Sequence, residues 1–204
     1  MARELERVLE GLERYGLLLQ ADARLPSVAT IVAGEPVRGS WWGHPRSHDI
    51  YDGCEQLEDH PDVATARLIS GKVTYVQRRL WLALAAVGCA RERWQTEGLS
   101  EVARRLLEGV RESGEMRTDE VPWTGGMKPG ETARELERRL LLQGEEFHTA
   151  SGAHAKRLQT WERWAERVGL ALGGMTAEEG KRRLEEALAE LNEQSEGKGK
   201  LPWQ

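Results

Sequence analysis

Residues 63–77 read Val63-Ala-Thr-Ala-Arg-Leu-Ile-Ser-Gly-Lys-Val-Thr-Tyr-Val-Gln77, the clearest β signal in the chain. Residues that favour strands fill two short runs, 63–69 and 73–77. Ser70-Gly71-Lys72 supplies turn chemistry between them, so the stretch predicts a hairpin. Around it the periodicity is helical. Leu5, Val8, Leu9, Leu12 and Leu19 predict a helix over 3–20. Ser27 starts a short helix to about 33. Ser47 can cap another over 48–59, with Ile50, Cys54 and Leu57 inward. His60-Pro61 ends it. An apolar helix from about Arg79 to Arg93 follows the hairpin. Helix, helix, helix, hairpin, helix is the order of a winged helix-turn-helix. The third helix then takes the reading position and the hairpin is the wing.

The second half can be drawn the same way. Ser100 caps a helix to about Ser113, and 114–130 is a long loop rich in turn residues. Thr132 with Glu135 forms a capping box for a helix to about Leu142. Residues 145–149 suggest a short strand. Ser151-Gly152 turns the chain into a helix with His154, Leu158, Trp161, Ala165 and Val168 on one face. Thr176 with Glu179 opens a last helix to about Asn192, and the polar tail from Glu193 is expected to fray, though Trp203 can dock. The expectation is a mainly α protein with a small β-hairpin, in the α+β class. It would comprise tandem winged-helix-like units over 1–98 and 99–204, with a single mixed helical domain as the alternative.

The chain of 204 residues is 31% charged and 39% hydrophobic and carries a net charge of −5, a composition for burying a sizeable core. That charge argues against a generic polyanion binder, whose footprint would be basic. No run of about 18 apolar residues is present, so no membrane span is expected. The charged N-terminus lacks an apolar signal core, and Cys54 and Cys89 fit no metal or redox spacing. A cytoplasmic protein with two reduced packing cysteines follows as an expectation.

Residues 35–52, Glu35-Pro-Val-Arg-Gly-Ser-Trp-Trp-Gly-His-Pro-Arg-Ser-His-Asp-Ile-Tyr-Asp52, crowd aromatic, guanidinium and imidazole groups into one loop and helix start. The aromatic inventory is skewed to eight Trp against one Phe, and Trp favours half-buried binding surfaces. Trp41 and Trp42 can stack a nucleobase, or can be one core residue and one cover. Arg38, Arg46, Lys72 and Arg78 are the candidate phosphate contacts, with Arg46 and His48 at the start of the reading helix. His44 and His48 can move a proton near neutral pH. Their spacing of four suits a metal, but Pro45 and the helix start at Ser47 break the common face, so neither a metal nor a cofactor is expected. Against phosphate stands the local balance: between residues 25 and 90, six Lys/Arg face seven Asp/Glu.

The second crowded segment is residues 145–157, where Glu146, His148 and His154 can serve as acid and base, and Ser151 as a helix cap. If it folds against the tryptophans, the two form a cleft between the halves, the usual place for a ligand. Leu184, Leu188 and Leu191 could form a coiled-coil contact, so a monomer and a homodimer both stand.

The segments "EPVRGSWWGHPRSHDIY", "LISGKVTYVQRRLW" and "HTASGAHAKRLQTWERW" resemble a widespread bacterial family of uncharacterised proteins, over roughly residues 25–168. That resemblance implies no activity. By topology alone the chain also resembles winged-helix proteins that act on DNA, including helical alkyl-DNA glycosylases, but none of their catalytic motifs is present. The leading expectation is a nucleic-acid-binding protein, with DNA repair or base-processing chemistry in an aromatic and histidine cleft. The alternatives are a small-molecule hydrolase or lyase using the same histidines, and a protein–protein adaptor anchored by its tryptophans.

Overall fold

Gly16 stops the first helix short of the residue 20 that its leucine spacing reaches. Its φ of 75° lies in the left-handed region, where glycine is favoured. Helix α1 therefore spans Ala2–Tyr15, and Leu17–Leu19, all buried, become strand β1 instead of a last helical turn. Tertiary pairing overrides local periodicity here: β1 finds an open edge on β3 (Val73–Gln77) and pairs Leu17 with Val76 and Leu19 with Thr74. The computed structural model describes residues 2–120, 129–149, 152, 154–195 and 197–204, with the backbone alone at 2, 3, 129, 148 and 154.

Between β1 and β3 lie helix α2 (Val28–Ala33), helix α3 (Ser47–Glu58) and strand β2 (Val63–Arg67). Ser27 caps α2 through the Thr30 N–H. At α3 the cap position falls to Arg46, and Ser47 is the first helical residue. The sheet is antiparallel in the order β1-β3-β2. Helix, strand, helix, helix, strand, strand in that sheet order is the connectivity of a winged helix.

A 3-10 turn, Arg78–Leu80, then leads into helix α4 (Trp81–Ala90), which ends three residues short of Arg93 because Arg91 turns left-handed (φ 52°). Helices α5 (Arg93–Thr96) and α6 (Glu101–Ser113) follow, with Ser100 capping α6 at the Ala103 N–H. Then come strand β4 (Glu115–Arg117), helix α7 (Pro129–Arg138), strands β5 (Gln143–His148) and β6 (His154–Gln159), and helices α8 (Trp161–Arg167) and α9 (Ala177–Ser195). The second sheet repeats the first, in the order β4-β6-β5. The protein is thus a mainly helical α+β chain with two small antiparallel sheets. Among the described residues, no helix is long and apolar enough to cross a membrane.

Several local expectations yield to packing. Thr132 does not cap α7; it lies within the helix, fully buried. Glu135 instead accepts from the Ser100 N–H and hydroxyl, at 3.0 and 2.8 Å, and so helps cap α6. Where a helix is expected after Ser151-Gly152, His154–Gln159 is strand, because β6 is the central strand of its sheet and pairs on both sides; Thr160 then caps α8. Ser151 lies outside the described residues. The Thr176–Glu179 capping box does form.

The chain divides into two compact units. One comprises Met1–Trp81, Arg182–Pro202 and Gln204; the other comprises Leu82–Lys181 and Trp203. In the first, Val8, Leu12, Leu18, Val28, Ile50 and Tyr75 belong to one apolar core. Leu184, Leu188 and Leu191 of α9 are buried in their own chain and do not form an exposed coiled-coil stripe. The tail does not fray: Leu201 is buried, and the Ser70 N–H donates to the Lys200 carbonyl at 2.7 Å. In the second unit the core includes Ala103, Leu106, Val110, Leu136 and Leu158.

Candidate functional site

The loop after α2 is built to hold one tryptophan in and push the next one out. Gly34, left-handed at φ 80°, closes α2 by donating to the Thr30 carbonyl. Val37 is buried and anchors the loop. Trp41–Gly43 then make a single 3-10 turn. Trp41 enters the core that also holds Ile50 and Cys54, whereas Trp42 stays 64% exposed. The two indoles stack with centroids 4.1 Å apart and planes at 23°, so Trp41 backs one face of Trp42. The Tyr51 ring of α3 stands 5.9 Å from Trp42 at 40° and closes one side of an aromatic corner.

Tyr51 is held by its own helix: its hydroxyl donates to Glu55 Oε1 at 2.7 Å, one turn on. That bond, then burial and the charges of Glu55, Glu58 and Asp52, raises the phenol above its usual value, so it remains a donor. His48, Tyr51, Asp52, Glu55 and Asp59 follow one another on a single face of α3 and its end. Carboxylates dominate that face. Tyr51 and Glu55 are not among the site residues expected from the sequence; the i, i+3, i+4, i+7 spacing from His48 carries the signal.

Most of the expected phosphate contacts are engaged within the unit. The Arg46 guanidinium donates to Asp49 at 2.8 Å, to Glu4 at 3.2 Å and to the Val32 carbonyl, tying α1, α2 and α3 together. Lys72 donates to Asp22 at 2.6 Å. Arg78 pairs with Asp62 at 3.2 Å and lies over the Trp81 ring at 5.1 Å. Arg38 and His48 are exposed and make no polar contact among the described residues. His44 holds the turn: its Nδ1 accepts the Arg46 N–H at 3.1 Å, which leaves the proton on Nε2, 3.4 Å from Glu35.

Asp22 gives this loop region a pH signature. Its partial burial favours the neutral acid, but the Lys72 bond and the N–H groups of Leu25 and Arg24 outweigh it and lower its pKa below 3.8. A lowered carboxyl stabilises the fold above its unfolded value and loses that contribution as pH falls through the folded value. Lys72→Met should therefore melt below the parent protein from pH 7 down to about 5, and the gap should close below about pH 4. Thermal melts by circular dichroism across that range check this. A gap that stays constant to pH 3 would show that Lys72 acts otherwise than through Asp22.

Glu146, His148 and His154 belong to the other unit. Glu146 is half exposed, opposite Lys156 in the β5–β6 register, with its carboxylate 3.5 Å from the Lys156 ammonium. His148 and His154 face each other in register at the hairpin end, and their side chains lie outside what is described. The same unit has an apolar recess of about 240 Å³, lined by Leu82, Ala85, Cys89, Leu172 and Met175 among others. Burial pushes the Cys89 thiol up to about 12, so it is not an activated nucleophile. No protein-family model, no curated protein and no solved structure matches the chain.

Proposed function

We propose that this protein is an interaction module, an adaptor that holds a partner protein on the Trp42–Tyr51 corner of its first winged-helix unit. The observation that carries the reading is the exposed Trp42, rigidly backed by buried Trp41. Stacking limits its motion, so little side-chain entropy is lost on binding, as at protein interface anchors. The surroundings favour a protein over a nucleic acid. The carboxylates of α3 would repel phosphates from the usual reading helix, and Arg46, Lys72 and Arg78 are occupied by internal partners.

Trp42→Ala should leave stability within about 0.5 kcal/mol of the parent protein, since the ring is largely exposed, yet abolish partner capture. The test uses parent and variant as baits in affinity capture. Alongside, fluorescence anisotropy follows single- and double-stranded DNA at about 50 and 200 mM salt. A protein retained by the parent and lost from the variant, with no DNA bound, supports the adaptor. Equal capture by both overturns it.

One observation favours nucleic acid as a second reading. On α7, the helix before the wing hairpin of the second unit, Arg134 and Arg138 are exposed one turn apart and have no partner among the described residues. The carboxylates of Glu135 and Glu137 on that helix are bound to Ser100 and Lys156. In this reading α7 lies along the phosphates and Trp42 stacks an unpaired base, which contributes about 1–3 kcal/mol. DNA binding that weakens with salt and drops in an Arg134→Glu/Arg138→Glu variant would put this reading in place of the adaptor.

A further inference from the structure

Resting on the adaptor reading, we infer that the group seated on the Trp42–Tyr51 corner is an arginine side chain from a basic segment of the partner. Trp41 covers one face of Trp42, whose ring is still 64% exposed, with Tyr51 5.9 Å away at 40°. A flat ligand lies on such a face; a branched aliphatic one leaves it poorly filled. The corner also sits in a negative field. Asp52, Glu55, Glu58 and Asp59 stand on α3 or at its end, and Arg46 at the start of that helix is committed to Glu4 and Asp49. An incoming cation therefore meets a helix face on which carboxylates predominate.

Glu55 supplies the directional contact. One carboxylate oxygen accepts the Tyr51 hydroxyl, which fixes the group against the ring, and the carboxylate keeps further lone pairs to accept from a ligand. Guanidinium fits both requirements. Its plane stacks on indole, and its fork of N–H donors reaches a carboxylate at the edge of the stack. An ammonium is strongly hydrated, does not stack, and satisfies only the charge. A nucleobase satisfies the stack but brings its phosphates against the α3 carboxylates.

The test uses three twelve-residue peptides of repeated Gly-Ser-X, with X arginine, lysine or citrulline, titrated against the full chain by calorimetry. The arginine peptide should bind about tenfold more tightly than the citrulline peptide, a factor within the range of a desolvated cation–π contact, with lysine between them. Trp42→Ala and Glu55→Gln should each remove most of that preference, with circular dichroism confirming the fold. Equal binding of arginine and citrulline peptides overturns the inference. So does an arginine preference that survives Trp42→Ala, which would report diffuse attraction to α3. Should no peptide bind while a partner protein is still captured through Trp42, the arginine assignment falls and the adaptor stands. Should DNA bind through Trp42 instead, both fall.

Discussion

Lys156→Met is expected to lower the free energy of unfolding by about 3–5 kcal/mol, the range for removing one member of a buried ion pair. Lys156 lies on β6 and places its ammonium 2.7 and 2.8 Å from the two oxygens of Glu137 on α7. The side chains are 12% and 7% exposed, so water cannot replace either partner. The chain has shaped itself around the pair: Gly144 of β5 leaves no room for a Cβ beside the Glu137 carboxylate. Methionine keeps the aliphatic stem but takes the ammonium away from both buried carboxylate oxygens, and Glu146 adds repulsion. A Glu137→Leu/Lys156→Met double variant should recover most of the loss, because two apolar groups of similar volume leave no charge unmatched. Urea denaturation followed by circular dichroism measures all three. A single variant within about 1 kcal/mol of the parent would show that water reaches Glu137, contrary to its burial.

That pair also illustrates what could and could not be read along the chain. Glu137 and Lys156 are 19 positions apart, and their meeting depends on β6 pairing with β5. Periodicity made residues after Gly152 helical, because Leu158, Trp161 and Ala165 do fall on one helical face. The competing fact, that His154–Gln159 has a strand partner on each side, exists only in three dimensions. Leu17–Leu19 failed for the same reason. By contrast, Ser27, Ser100 and Thr176 were legible as helix starts because a cap is satisfied by neighbours two or three residues away. The hairpin around Ser70-Gly71 was legible because its turn chemistry is local. At the candidate site the sequence located the residues but not their roles. Trp41-Trp42 declared a special loop, yet which indole is buried follows from Trp41 joining the core that also holds Ile50 and Cys54. Arg46 looked like a phosphate ligand because nothing in its vicinity along the chain announces Glu4, 42 positions earlier.

Trp161→Ala should cost about 3–5 kcal/mol, as expected for emptying a core site of this size. The indole is 1% exposed, donates to the Leu140 carbonyl at 2.8 Å, and meets Trp164 edge-on at 5.4 Å. Its defining neighbour is Gly88 of α4. The ring lies where a Cβ at Gly88 would be, so helix and indole fit only because that side chain is missing. Gly88→Ala alone should therefore destabilise by overpacking, by about 1–3 kcal/mol or more, although alanine is the better helix former. In the Trp161→Ala background the sign should reverse. The methyl then enters space vacated by the ring, and the propensity gain of about 1 kcal/mol is no longer masked. The double-mutant cycle should show coupling of about 2 kcal/mol or more, with the double variant more stable than Trp161→Ala itself. Chemical denaturation of the four proteins yields the coupling directly. Simple additivity would mean that α4 shifts to admit the methyl with the indole still in place, and that the glycine is not what seats Trp161.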